Sequence, residues 1–114
     1  MKQPEDALGR RLEVGQSISY VTRKYSRMTL HLAQIVELTW DSSYKDDPWS
    51  IKVIAAGKRF KWIPKERTFN RDPYAYKRTL TSNTTIVILD RLPEKTQELI
   101  DTYLNERYFT QDNV

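Results

Sequence analysis

The stretch SISYVTR, residues 17–23, alternates and is rich in β-favouring residues, the pattern of a half-buried strand. Ile18 and Tyr20 fall on one side; Ser17, Ser19 and Val21 fall on the other. After a polar connection at 24–27 comes MTLHLAQIVELTW, residues 28–40. Here Leu30, Leu32, Val36, Leu38 and Trp40 share one parity, interrupted by Gln34, and Thr29, His31, Ala33, Ile35, Glu37 and Thr39 share the other. Leu, Ala, Gln and Glu favour helix, but the period of two and the β-branched residues predict a strand. DSSYKDDP, residues 41–48, is dense in turn formers. WSIKVIAA, residues 49–56, predicts a strand with Trp49, Ile51, Val53 and Ala55 inward and Lys52 outward. Gly57 and Lys58 then predict a hairpin turn. RFKWI, residues 59–63, returns as a strand with Phe60 and Trp62 on the core face and Arg59 and Lys61 on the wet face. Pro64 ends that strand or puts it at a sheet edge.

Residues 64–78 show no clean period, which predicts a functional or locally ordered segment outside the regular strands. Residues 79–90 contain a turn at Ser82–Asn83 and then an apolar run, Ile86 to Leu89, short enough for a buried strand. LPEKTQELIDTYLNERY, residues 92–108, predicts a helix. Pro93 suits a first helical turn and Glu94 its positive end. Leu92, Thr96, Leu99, Ile100, Tyr103 and Leu104 form one stripe at three- and four-residue spacing, which must cover an open end or one face of the sheet. At the start, MKQPEDA is polar and expected to be loosely held, and EVGQ predicts a turn at Gly15. The expected architecture is one domain over 1–114: a small five-stranded antiparallel barrel over about 12–90 and a C-terminal helix over 92–108.

Charge adds an asymmetry that the hydrophobic pattern does not show. The chain has 114 residues and a formal net charge of +4. Residues 1–22 and 23–50 are each neutral overall, whereas residues 51–78 carry nine basic residues against Glu66 and Asp72. Residues 79–114 carry three basic residues against six acidic ones. A basic middle with a mildly acidic tail is an argument about partners. The absence of cysteine rules out disulfides and thiolate metal sites and suits a reducing cytoplasm. No apolar run approaches the roughly 20 residues that span a bilayer, and the first residues lack an apolar signal core, so a cytoplasmic protein is expected.

The segments DALGRRLEVGQSISYVTR and LHLAQIVEL resemble a pattern found in small phage-encoded SH3-like barrels. In these, a motif like DALGR followed by VG precedes a first strand that ends in a basic turn, and a long second strand follows. TIVILD resembles their closing strand. The resemblance covers roughly residues 6–40 and 84–90. It extends to the KOW class of nucleic-acid and ribosome-associated barrels, which place a glycine near the position of Ala33. It implies a fold and a viral origin, and it carries over no catalytic residue.

An enzyme is not expected. His31 is the one histidine and sits mid-strand, and no G-x-S-x-G elbow or glycine-rich phosphate loop is present. Asp41, Asp46 and Asp47 lack the alternating ligands and turn glycine of a calcium loop. No metal or other cofactor is expected. Lys52, Lys58, Arg59, Lys61, Lys65, Arg67, Arg71, Lys77 and Arg78 are candidate phosphate contacts, extended by Arg23, Lys24 and Arg27 in the first hairpin turn. Tyr74 and Tyr76 are candidates for stacking bases, being placed in a segment without regular structure. The expected function is binding, with nucleic acid or a nucleic-acid-handling complex as partner. The alternative is a phage protein that docks on a host protein and inhibits it, with Trp40, Tyr44 and Trp49 around the acidic loop as anchors.

Overall fold

The computed structural model describes residues 4–40, 49–81 and 84–108, with side chains throughout except at 58–62, 69–72 and 108. Five strands, β1 (Ser17–Lys24), β2 (Arg27–Trp40), β3 (Trp49–Ile63), β4 (Thr68–Thr81) and β5 (Ile86–Leu89), precede the helix α1 (Glu94–Tyr103). Helix α1 runs on into a π-helical turn, Leu104–Tyr108. The strands form one sheet in the order β4-β3-β2-β1-β5, with antiparallel pairing throughout. The chain is therefore mainly β with one C-terminal helix.

The sheet buries apolar side chains on both faces, for two different reasons. On the inner face, Ile18 and Tyr20 of β1, Ala33 and Ile35 of β2, and Ile51, Val53 and Ala55 of β3 are all fully buried. Leu12, Leu80 and Ile86 complete that cluster. On the outer face Ile54 is also fully buried, packed with Leu92, Ile100 and Leu104 beneath α1. The amphipathic stripe of the helix thus covers one face of the sheet. The inner face is concave. Strands β4 and β1 are separated in the sheet by β3 and β2, about 14 Å of strand spacing if flat, yet the Arg78 guanidinium lies 5.9 Å from the Tyr20 ring centroid.

A bulge corrects the parity of β2. The register shifts between Ile35 and Glu37, so one extra residue changes which parity points inward. Before the shift the odd positions Ala33 and Ile35 face the core, and after it Leu38 does. Leu32 and Val36, expected in the same row as Leu38, instead pack under α1, and Leu30 is 65% exposed.

The predicted turn at Gly57–Lys58 is a second correction. Strand β3 runs through both residues, and the chain reverses at Pro64–Arg67 instead. Gly57 is needed for space and not for a turn: a Cβ there would meet Cε1 of Tyr76 at 3.2 Å and Cε1 of Tyr74 at 3.5 Å. Residues 68–78, expected to lie outside the regular strands, pair with β3 without interruption from Thr68 to Thr81. Pro73 is tolerated in β4 because that strand is at the edge of the sheet. The core placement expected of Phe60 and Trp62, and the turn expected at Ser82–Asn83, lie outside the described side chains and residues.

The N-terminal segment is the third correction, because from Pro4 onward it is pinned. Asp6, only 7% exposed, accepts from the backbone N–H of Leu8 (3.0 Å) and of Arg10 (2.8 Å) through Oδ1. Its Oδ2 accepts from Ile88 N–H (3.1 Å) and from Arg10 Nε (2.9 Å). Arg10 in turn donates to the Ile88 carbonyl at 2.9 Å. Gly9, at φ +79°, lets the chain turn back between these partners. The DALGR motif is a clasp that ties the start of the chain to β5 and seats Leu12 in the core. The turn expected at Gly15 is present, with φ +95° and its N–H donating to the Ile35 carbonyl at 2.8 Å.

Candidate nucleic-acid interface

Pairing between β2 and β3 ends at Leu32–Ala56. Beyond that point β3 pairs only with β4, from Gly57–Tyr74 to Ile63–Thr68. Residues 57–74 are therefore a two-stranded ribbon that runs on past the five-stranded body for about 20 Å. This ribbon holds Lys58, Arg59, Lys61, Lys65, Arg67 and Arg71 against Glu66 and Asp72. Lys65 and Arg67 lie exposed in its tip. Arg67 takes φ +49°, a left-handed conformation in a non-glycine residue. Lys58, Arg59, Lys61 and Arg71 have their backbones in the ribbon's register, and their side chains lie outside the described ones.

Where the ribbon joins the body, a row of rings crosses the inner face. Tyr74 and Tyr76 are half-buried, with ring centroids 5.3 Å apart. Alternation along β4 puts both on the face that carries Arg78 and Leu80. The Tyr76 hydroxyl lies 3.4 Å from His31 Nδ1, and the Thr22 hydroxyl lies 2.7 Å from His31 Nε2. His31 stacks on Tyr20 at 4.7 Å and 15°. Burial holds the His31 pKa below its ordinary value, and the Arg78 charge adds to this, so the ring is neutral at pH 7. Burial raises the Tyr20 hydroxyl far above its usual range, and the neighbouring Tyr76 hydroxyl adds to the effect. Among the described residues the Tyr20 hydroxyl has no hydrogen-bond partner. Nothing local in the sequence joins Tyr20 and His31 to the two tyrosines of β4; the tertiary structure brings them together.

The other candidates divide. Arg23, Lys24 and Arg27 are exposed at the tip of the β1–β2 hairpin. Alternation sends Arg23 to the outer face, and Lys24 and Arg27 to the inner face with Arg78. Lys52 stands apart at the opposite end of the sheet and pairs with Glu37 at 3.5 Å. Lys77 and Arg78 are exposed on β4, and alternation puts them on opposite faces. Tyr74 and Tyr76 come from a paired strand and not from an irregular segment. Trp40, 39% exposed, meets Trp49 edge to face at 5.2 Å, and their residues are partners across β2 and β3. Tyr44 lies outside the described residues.

Among the described residues, no carboxylate reaches His31 and no group of three His, Asp or Glu side chains is placed to hold a metal ion. No described helix is long and apolar enough to cross a membrane. Comparison with protein-family models, curated proteins and solved structures found no match to this chain.

Proposed function

We propose that this chain is a non-enzymatic binding protein of the phage SH3-like class, acting in the host cytoplasm. Its basic ribbon engages nucleic acid or a complex that handles nucleic acid. The observation that carries this reading is the folding of the basic middle of the chain into a two-stranded ribbon beyond the sheet. A two-stranded ribbon fits the width of a major groove. Six cations over about 20 Å can follow a phosphate backbone, which carries regularly spaced charge. Lys24 and Arg27 add charge on the inner face. The small-barrel reading draws on the curvature that brings Arg78 onto Tyr20 across two intervening strands.

A second reading, docking on a host protein, draws on exposed apolar residues. Tyr25 is 89%, Met28 70% and Leu30 65% exposed along the β1–β2 hairpin, and alternation puts Met28 and Leu30 on one face of it.

A salt titration against labelled DNA and RNA duplexes and single strands separates the two. Nucleic-acid binding predicts log affinity falling linearly with log salt, and a slope shallower by about 2 in the Lys65→Glu, Arg67→Glu double variant. Absence of binding to every probe at low salt refutes the first reading and leaves the docking surface.

A further inference from the structure

Strand β5 covers the outer edge of β1 only at Ser17–Tyr20. One further bond, from Val21 N–H to the Thr85 carbonyl at 3.2 Å, ends that coverage. The rest of β1, through Thr22, Arg23 and Lys24, has no strand on that side among the described residues. Strand β4 likewise has no strand on its outer edge among the described residues. Because the sheet is curved, these two bare edges face one another across an open groove of about 540 Å³, between Val21–Arg23 and Arg78–Thr81. That volume lies within the range of ligand clefts. Arg78 crosses its floor to the Tyr20 ring at 5.9 Å.

We infer that this groove is a strand-addition site for an extended acidic peptide, a surface separate from the ribbon. Two arguments select that occupant. First, bare strand edges offer backbone N–H and C=O groups in alternation, and a peptide backbone satisfies both. A nucleic-acid backbone offers phosphate acceptors and leaves the carbonyls unanswered. Second, Arg23 and Arg78 line the groove, are exposed, and meet no carboxylate among the described residues. Arg23 stands on the outer face and Arg78 on the inner one, so adjacent acidic side chains of an inserted strand, one on each face, supply their counter-charges. Self-pairing of two β4 edges is disfavoured, because antiparallel pairing would bring Arg71, Lys77 and Arg78 of one copy near those of the other.

The test uses the full chain and a fluorescein-labelled octapeptide in which pairs of threonines alternate with pairs of glutamates, so that each face carries glutamate, read by anisotropy. Saturable binding is expected, weakened at least tenfold by Arg23→Gln with Arg78→Gln and at least tenfold by N-methylation of alternate peptide amides. Backbone amides of Arg23 and Leu80 should gain protection from hydrogen exchange on binding. Lys65→Glu with Arg67→Glu should leave peptide affinity within about twofold, which keeps this result distinct from that of the ribbon. An unchanged amide spectrum outside the groove checks that the glutamine variants are folded. No saturable binding, or equal binding of the N-methylated peptide, overturns the proposal. So does an oligonucleotide whose binding is lost in the Arg23→Gln, Arg78→Gln variant, or a dimer in sedimentation that the same variant dissolves.

Discussion

Asp6 shows how one side chain can secure a terminus. It is buried, and burial alone would raise its pKa. The hydrogen bonds from Arg10, Ile88 and Leu8 outweigh that effect and leave the carboxyl below its ordinary value of 3.8. A depressed folded pKa means the stabilisation is fully present above about pH 4 and is lost as pH falls through the folded value. Asp6→Ala should cost about 3 kcal/mol in urea denaturation, mostly from stranded backbone donors, since the Arg10 side chain is 47% exposed and its ion pair is screened. Asp6→Asn should flatten the acid limb of the stability curve. His31 works in the same direction at higher pH. Its lowered pKa makes the fold lose stability as pH drops below about 6.5, where the unfolded chain binds the proton first. His31→Gln should remove that dependence between pH 7 and 5 in thermal melts. Tyr25 combines φ +57° with 89% exposure. A bulky residue in that conformation costs about 1 kcal/mol and makes little contact in return. Tyr25→Asn should raise stability by roughly 0.5–1 kcal/mol, and a concurrent loss of partner binding would identify Tyr25 as an anchor.

At the scale of elements, the β3–β4 hairpin departs most from what alternation alone suggests. Glycine followed by lysine reads as a turn, and residues 64–78 read as a segment without a period. Both readings rest on local chemistry, and pairing with a long neighbour overrides both. Strand β4 acquires its regularity from β3, residue by residue, down to Ile63–Thr68. Gly57→Ala should disturb the Tyr74–Tyr76 pair, because the new methyl group sits 3.2 Å from Tyr76. A loss of roughly 1 kcal/mol is expected, together with a shift in the His31 titration seen by NMR, since Tyr76 touches that ring. The helix was more legible. Its stripe is continuous, and Ile100 and Leu104 are buried where the stripe puts them.

At the scale of the molecule, the two hydrophobic faces explain why one sheet needs both curvature and a helix. The inner face is filled by its own side chains, from Ile18 and Tyr20 to Leu80 and Ile86, while the outer face at Leu32, Val36, Ile54 and Ala75 depends on α1. Ile100→Ala should therefore cost about 2–5 kcal/mol and expose the outer face to a hydrophobic dye, with the β signal in far-UV circular dichroism largely retained. The charge asymmetry also resolves at this scale. Most of the basic middle lies on the ribbon, Lys52 is paired away from it, and Arg78 belongs to the groove between β1 and β4.

Period-two alternation by itself determined β1, the strand character of β2 and the first half of β3, a short apolar run determined β5, and the three- and four-residue spacing determined α1. These are local signals, because each depends on neighbours within one element. The sequence also determined that positive charge concentrates between residues 51 and 78. Only the tertiary structure decided where those charges stand. The bulge at Ile35–Glu37, the passage of β3 through Gly57 and the pairing of β4 all depend on residues far apart in the chain. So does the meeting of Tyr76 and His31, 45 positions apart. Alternation says which side of a strand a residue occupies. It does not say how far the sheet bends, and the bend is what joins Arg78 to Tyr20.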